Sequence, residues 1–153
     1  MNIRKPISRN ELEQCVDIYL AMNDESFLPS DKFNAFSNIL RRWRGGEFIR
    51  IIEKDNEVVG FITGLVHVLP HCKYKQIDQD YYVSNLKGFG AARAVIVAHE
   101  EMIKYAEETG IPFVVTHCSH EDEDRVLCKI LQKKGWRVKG HVALWRTSHA
   151  PKP

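Results

Sequence analysis

Ile77-Asp78-Gln79-Asp80-Tyr81-Tyr82-Val83-Ser84-Asn85-Leu86-Lys87-Gly88-Phe89-Gly90-Ala91-Ala92-Arg93-Ala94 is the stretch that decides how the chain is read. Residues 77–84 have an extended pattern in which Asp78, Asp80 and Tyr82 share one side, and Gln79, Tyr81 and Val83 the other. The second half brings Gly88 and Gly90 to the start of a long amphipathic helix carrying Val95, Ile96, His99, Met102, Ile103 and Ala106, which Gly110 closes. Strand, glycine turn and helix in this order make a cradle for phosphate oxygens, because the first N–H groups of a helix lack carbonyl partners and the helix dipole favours negative charge there. The turn is neither a GxxxxGK[ST] P-loop nor a full GxGxxG fingerprint. On physics alone it either binds phosphate, with Lys87 and Arg93 adding positive charge, or is a plain turn with tight helix packing and two solvated cations.

Before this stretch, IRKPIS reads as a short strand, and the Ser8/Glu11 spacing suits the first N–H groups of a helix that buries Leu12, Cys15, Val16, Tyr19 and Leu20. Cys15 there is a core filler. A second helix over residues 31–44 carries the aromatic stripe Phe33, Phe36, Leu40 and Trp43 and ends at Gly45-Gly46. Residues 47–53 and 58–68 then read as a β-hairpin around a tight turn at residues 54–57, with Gly60 and Gly64 marking a bend or a close approach in its second strand. After it, Phe113 opens an apolar strand, residues 121–134 form a last helix ended by Gly135, and residues 136–147 supply one long or two short strands. The order β-α-α-β-β-β-α-β-α-β is that of a mixed α/β protein, without internal repeat or linker.

A chain of 153 residues with 44% hydrophobic and 27% charged residues suits one globular domain over residues 1–153. No window approaches the apolar length of a membrane span. Twenty-two Lys+Arg against twenty Asp+Glu give a net charge of +2, so any basic site is a local focus. The four cysteines form no CxxC pair and no dense disulfide pattern, and the N-terminus has no apolar signal core, which fits a reducing cytoplasm.

Two motifs resemble those of the GCN5-related N-acetyltransferases. Lys87-Gly88-Phe89-Gly90-Ala91-Ala92 follows that family's Arg/Gln-x-x-Gly-x-Gly/Ala motif with Lys in first place, and Arg93-Ala94-Val95 is similar to its Arg-Ala-Leu entry into the helix. Leu131-Gln132-Lys133-Lys134-Gly135-Trp136 resembles its Tyr-Glu-Lys-Leu-Gly-Phe ending of the last helix. The resemblance covers nearly the whole chain. It implies a single-domain fold with a central mixed, mainly antiparallel sheet flanked by helices. It also implies acetyl-CoA as acetyl donor, a small-molecule or protein amine as acceptor, and leaves a homodimer open. The cofactor contacts it implies run from Val83 and Asn85, on pantetheine or acetyl, through Lys87, Gly88, Phe89, Gly90, Ala91, Ala92 and Arg93 on the pyrophosphate. The family reaction needs a proton acceptor for the amine. Asp80 ranks first for it, Asp78 second, and His120 follows on its intrinsic pKa. Many members carry a Tyr in the last helix to protonate the departing thiolate. Here that position is Leu131, which has no proton to give; Cys128, three residues earlier, is the substitute candidate.

Other chemistries fit less well. His117, Cys118 and His120, with His67, His71 or Cys72, do not form the two separated ligand pairs of a structural zinc site, so no metal is expected. A Cys118/His120 acyl-enzyme lacks an orienting third group. Residues 121–124 are acidic and suit the N-terminus of the last helix. Arg41, Arg42 and Arg44 beside Trp43, or Lys133, Lys134, Arg137 and Lys139 beside Trp136, could meet a nucleic acid, but basic residues and aromatics are expected at element ends anyway. The stronger rival, raised by Leu131, is an acetyl-CoA-binding protein without turnover.

Overall fold

Asp55 and Asn56 both have positive φ, 53° and 65°, which is what a two-residue hairpin turn requires of its central pair. They lie in a computed structural model that describes residues 1–23, 29–68, 70–117, 122–140 and 142–152. The elements are β1 (Asn2–Arg4), α1 (Arg9–Met22), α2 (Lys32–Arg44), β2 (Phe48–Lys54), β3 (Glu57–Val68), β4 (Lys75–Ser84), α3 (Gly88–Thr109), β5 (Phe113–His117), α4 (Asp122–Lys133), β6 (Arg137–Lys139) and β7 (Val142–Arg146). The strands form a seven-stranded sheet in the order β1-β2-β3-β4-β5-β7-β6. β4 runs parallel to β5, whereas β1–β2, β5–β7 and β6–β7 are antiparallel, so the sheet is mixed as expected. The C-terminal stretch resolves into two short strands. Among the described residues no helix is long and apolar enough to cross a membrane.

By contact density the chain divides into two compact units, Met1–Thr63 with Tyr81–Ala94 and Gly64–Asp80 with Val95–Pro153. In the first unit, Ser8 caps α1 by accepting the Glu11 N–H at 3.3 Å, while the Glu11 carboxylate accepts the Ile7 N–H at 2.7 Å and pairs with Arg4, also at 2.7 Å. This fixes which face of α1 turns inward. Leu12, Cys15 and Val16 then pack with Ile39, Ile49, Ile51, Phe61 and Val83. Burial pushes the Cys15 thiol up to about 12, as befits a core filler.

On α2, Phe36, Leu40 and Trp43 of the aromatic stripe pack, partly buried, against this cluster beside the buried Ile39 and Arg42, whereas Phe33 is 77% exposed. Arg42 turns inward because its Nε donates to the Glu47 carboxylate at 2.6 Å, just beyond the helix end. That burial also removes Arg42 from any surface that could meet nucleic acid.

In the second unit Ile77, Ala98, Met102, Ala106, Val114, Leu131 and Ala143 are buried. Gly110 and Gly135 end α3 and α4 with φ of 73° and 99°. A Cβ on Gly135 would also lie 3.2 Å from the Trp145 ring. Trp136, 4% exposed, packs its ring 6.0 Å from Trp145 and is not presented for stacking on a base.

Candidate functional site

In the first unit β4 ends in a short turn. Ser84 Oγ accepts the Leu86 N–H at 3.2 Å, and Asn85 N–H donates to the Val59 carbonyl at 2.9 Å. α3 begins at once, with Ala91 N–H donating to the Lys87 carbonyl at 3.4 Å. The N–H groups of Gly88, Phe89 and Gly90 come before that bond and have no intrahelical acceptor. Gly88 sits at φ +57°, a left-handed conformation that favours glycine, and nothing lies within 4 Å of where its Cβ would be. A Cβ on Gly90 would only touch the Leu86 side chain at 3.9 Å. Neither glycine is therefore explained by tight packing. The first turn of α3 carries no acidic residue, and Lys87 and Arg93 are exposed beside it. Donors, dipole and two cations together fit the pyrophosphate of a nucleotide cofactor.

Val83, buried within the first unit's core, is held by a close approach of β3. A Cβ on Gly60 would lie 2.3 Å from the Val83 carbonyl oxygen and 2.9 Å from Ser84 Cα, so β3 and β4 come together here only because residue 60 is glycine.

In the second unit the parallel register pairs Gln76, Ile77 and Asp78 with Phe113, Val114 and Val115, and stops there although both strands continue. The two carboxylates proposed for proton transfer fall on either side of this point. Asp78 is engaged: its Oδ1 accepts from Gln76 Nε2 at 2.8 Å, and its Oδ2 lies 3.1 Å from His67 Nε2. Asp80, half-buried, lies two residues beyond the last paired residue.

Where the backbone ladder ends, side chains continue it. Thr116, buried, is hydrogen-bonded through Oγ1 to the Gln79 carboxamide, and His99 Nε2 lies 3.4 Å from the same hydroxyl. His99 Nδ1 faces the Val95 carbonyl at 2.8 Å and must donate to it, which leaves Nε2 as an acceptor. The Thr116 hydroxyl donates to the Gln79 carboxamide oxygen. Burial pulls His99 down to about 4, so the imidazole is neutral at pH 7. Beside it lies a cavity of about 190 Å³ bordered by Ile103, Leu131, Trp136 and Trp145. Sequence reading placed His99 on the inward face of its helix but missed this network, and it weighed His67 only as a metal ligand. Neither pairing has a local sequence signal, since each joins separate elements.

In α4, Leu131 is 1% exposed in the second unit's core and offers no proton. Cys128 corrects an expectation: it is disulfide-bonded, so its sulfur has no proton to give a thiolate. The bond also departs from the reading of four reduced cysteines, although Cys15 and Cys72 are free thiols. His120 and Cys118 lie outside the described residues, as does Glu121.

No protein-family model matches the sequence, and no curated protein sequence matches it. Solved structures do match the fold. The ribosomal-protein-alanine N-acetyltransferase of Brucella melitensis gives a TM-score of 0.73 at 15% identity, over 95% of this chain and 99% of that one. A Salmonella typhimurium protein assigned to the acetyltransferases and solved with its cofactor acetyl-CoA gives 0.75 at 15% identity, over 100% of this chain and 97% of that one. The paia N-acetyltransferase of Thermoplasma acidophilum, in complex with coenzyme A, gives 0.68 at 14% identity, over 95% and 98%. The chain has the fold of the GCN5-related N-acetyltransferases, and at these identities the likeness is one of fold.

Proposed function

We propose that the chain is an acetyl-CoA-dependent N-acetyltransferase, one domain over residues 1–153, with a primary amine as acceptor. The observation that carries this reading is the cradle at residues 88–93. It has a left-handed Gly88, three helix N–H groups without intrahelical acceptors and no acidic residue in the first turn, and it follows β4 directly in a fold shared with acetyl-CoA-bound proteins. When bound, acetyl-CoA supplies the thioester carbonyl that the amine attacks.

The residues then divide the work. The N–H groups of Gly88, Phe89 and Gly90, with Lys87 and Arg93, hold the pyrophosphate, with Ala91 and Ala92 completing the turn. Val83 and Asn85 at the end of β4 line the pantetheine arm. Asp80, on the strand that leads to Val83, takes the proton from the attacking amine, directly or through water. With Leu131 buried and Cys128 in a disulfide, the thiolate is protonated by solvent.

Asp80→Asn tests the assignment. It is expected to lower kcat by roughly 10²-fold or more while the Kd for acetyl-CoA, measured by calorimetry, stays within twofold. Unchanged turnover would remove Asp80 as base. That neither Leu131 nor Cys128 has a proton to give favours a second reading, a cofactor-binding protein without turnover. Tight acetyl-CoA binding with no thiol release across a broad amine panel would establish that reading instead.

A further inference from the structure

Phe89 is 97% exposed, more than any other large hydrophobic side chain among the described residues, and it stands at the start of α3 between the two cradle glycines. We propose that its ring is the platform on which the adenine of the cofactor stacks. The site thereby selects a free coenzyme A thioester over a donor whose pantetheine arm is attached through its phosphate to a carrier protein. The proposal rests on the acetyltransferase reading and deepens it on the donor side.

Helical side chains lean toward the N-terminus, and both common helical rotamers carry a long side chain back over the preceding turn. Phe89 is the second residue of α3, so there is no preceding turn for it to lie on. Its ring therefore projects past the helix end, in the direction in which the N–H groups of Gly88, Phe89 and Gly90 look for an acceptor. The chain leaves the ring bare on both flanks. A Cβ on Gly88 would meet nothing within 4 Å, and one on Gly90 only the Leu86 side chain at 3.9 Å.

Exposure alone assigns nothing, because single apolar side chains are common on protein surfaces. The surroundings of Phe89 do. The ring stands beside Lys87 and Arg93, both exposed, in a turn without an acidic residue. A bare phosphate gains nothing from a phenyl face, and the first turn of a helix ordinarily favours acidic residues or proline. An anion whose next group is a flat π-system uses every part of the turn. The N–H groups and the two cations take the pyrophosphate, and the ring takes the base one ribose further on. A phosphopantetheine arm on a carrier protein brings the phosphate without the base.

The test uses the full-length protein and two ligands, acetyl-CoA and acetyl-phosphopantetheine, which ends at the phosphate. Phe89→Ala keeps the backbone N–H, touches no core residue and improves helix propensity, so it removes the ring without weakening α3. It should raise the calorimetric Kd for acetyl-CoA about tenfold, within the range of base–aromatic stacking, and leave that for acetyl-phosphopantetheine within twofold. Phe89→Leu, apolar but without a π-face, should lose nearly as much as Phe89→Ala. Phe89→Trp should bind acetyl-CoA at least as tightly as the unmodified protein. In NMR spectra of the complex the adenine ring protons should move upfield under the ring current, and the shift should vanish in Phe89→Ala. An unchanged Kd for acetyl-CoA in Phe89→Ala, an equal loss for both ligands, full affinity in Phe89→Leu, or tighter binding of acetyl-phosphopantetheine than of acetyl-CoA would each overturn the proposal. Each of these leaves the acetyltransferase reading standing, whereas failure of the unmodified protein to bind acetyl-CoA would remove both.

Discussion

His99 makes the acid limb of stability calculable. The imidazole is buried, with Nδ1 on the Val95 carbonyl and Nε2 facing Thr116, and desolvation pulls it down to about 4. In the unfolded chain it titrates near about 6.5. Below that pH the unfolded chain takes up a proton that the folded chain refuses. The contribution is therefore complete above pH 6.5 and is lost as the pH falls toward 4. The gap between those two values corresponds to about 3 kcal/mol, a large part of the 5–15 kcal/mol typical of a domain. Urea melts from pH 7.5 to 4.5 on the unmodified protein and on His99→Gln, which carries no titrating group there, isolate the effect. Glu100 and Lys134, which border the same cavity, are present in both and cancel in the difference. The variant should be less stable at pH 7.5, having lost the ring packed 5.6 Å from Trp136, yet its profile should be flatter by about 2–3 kcal/mol. Parallel profiles would refute a buried, neutral His99.

Gly60→Ala places a Cβ 2.3 Å from the Val83 carbonyl oxygen, an atom of a paired strand that has little room to retreat. A loss of about 3 kcal/mol is expected, read as a fall in Tm of roughly 6–12 °C; an unchanged Tm would contradict the close approach of β3 to β4. The Arg4 guanidinium, through its hydrogen bond, holds the Glu11 carboxyl below its usual value, with burial opposing. The stability from that carboxylate is present above the ordinary carboxylate range and is lost as pH falls through the lower folded value. Glu11→Gln should therefore destabilise at pH 7 and by progressively less below pH 4, and thermal melts showing a constant difference would argue against the pairing.

Local signals were legible where the cause is local. The Ser8/Glu11 spacing foretold the cap on α1, the two glycines foretold the start of α3, and of the bend or close approach that Gly60 and Gly64 marked, Gly60 makes a close approach, beside Val83. Signals that depend on a distant partner were not. The helical period of Phe36, Leu40 and Trp43 matches their packing against the core, but it also included the exposed Phe33, and it could not show the burial of Arg42, since the ion pair with Glu47 leaves no trace in a hydrophobic period. Alternation puts Asp78 and Asp80 on one side of their strand, but only the neighbouring strand shows that His67 pairs with Asp78. The network His99–Thr116–Gln79 draws one residue from each of three elements, and Cys128 lies beyond spacing rules because its bond depends on tertiary placement.

The account's central claim is that residues 88–93 hold the pyrophosphate of acetyl-CoA. Hydrogen exchange of the backbone amides, read with and without acetyl-CoA at a concentration that calorimetry shows to saturate the protein, tests it most directly. Slowed exchange centred on Gly88, Phe89 and Gly90, with α2 unaffected at its exposed Phe33 end, is the predicted result. Calorimetric binding with no protection at those amides, or no binding at all, would contradict it.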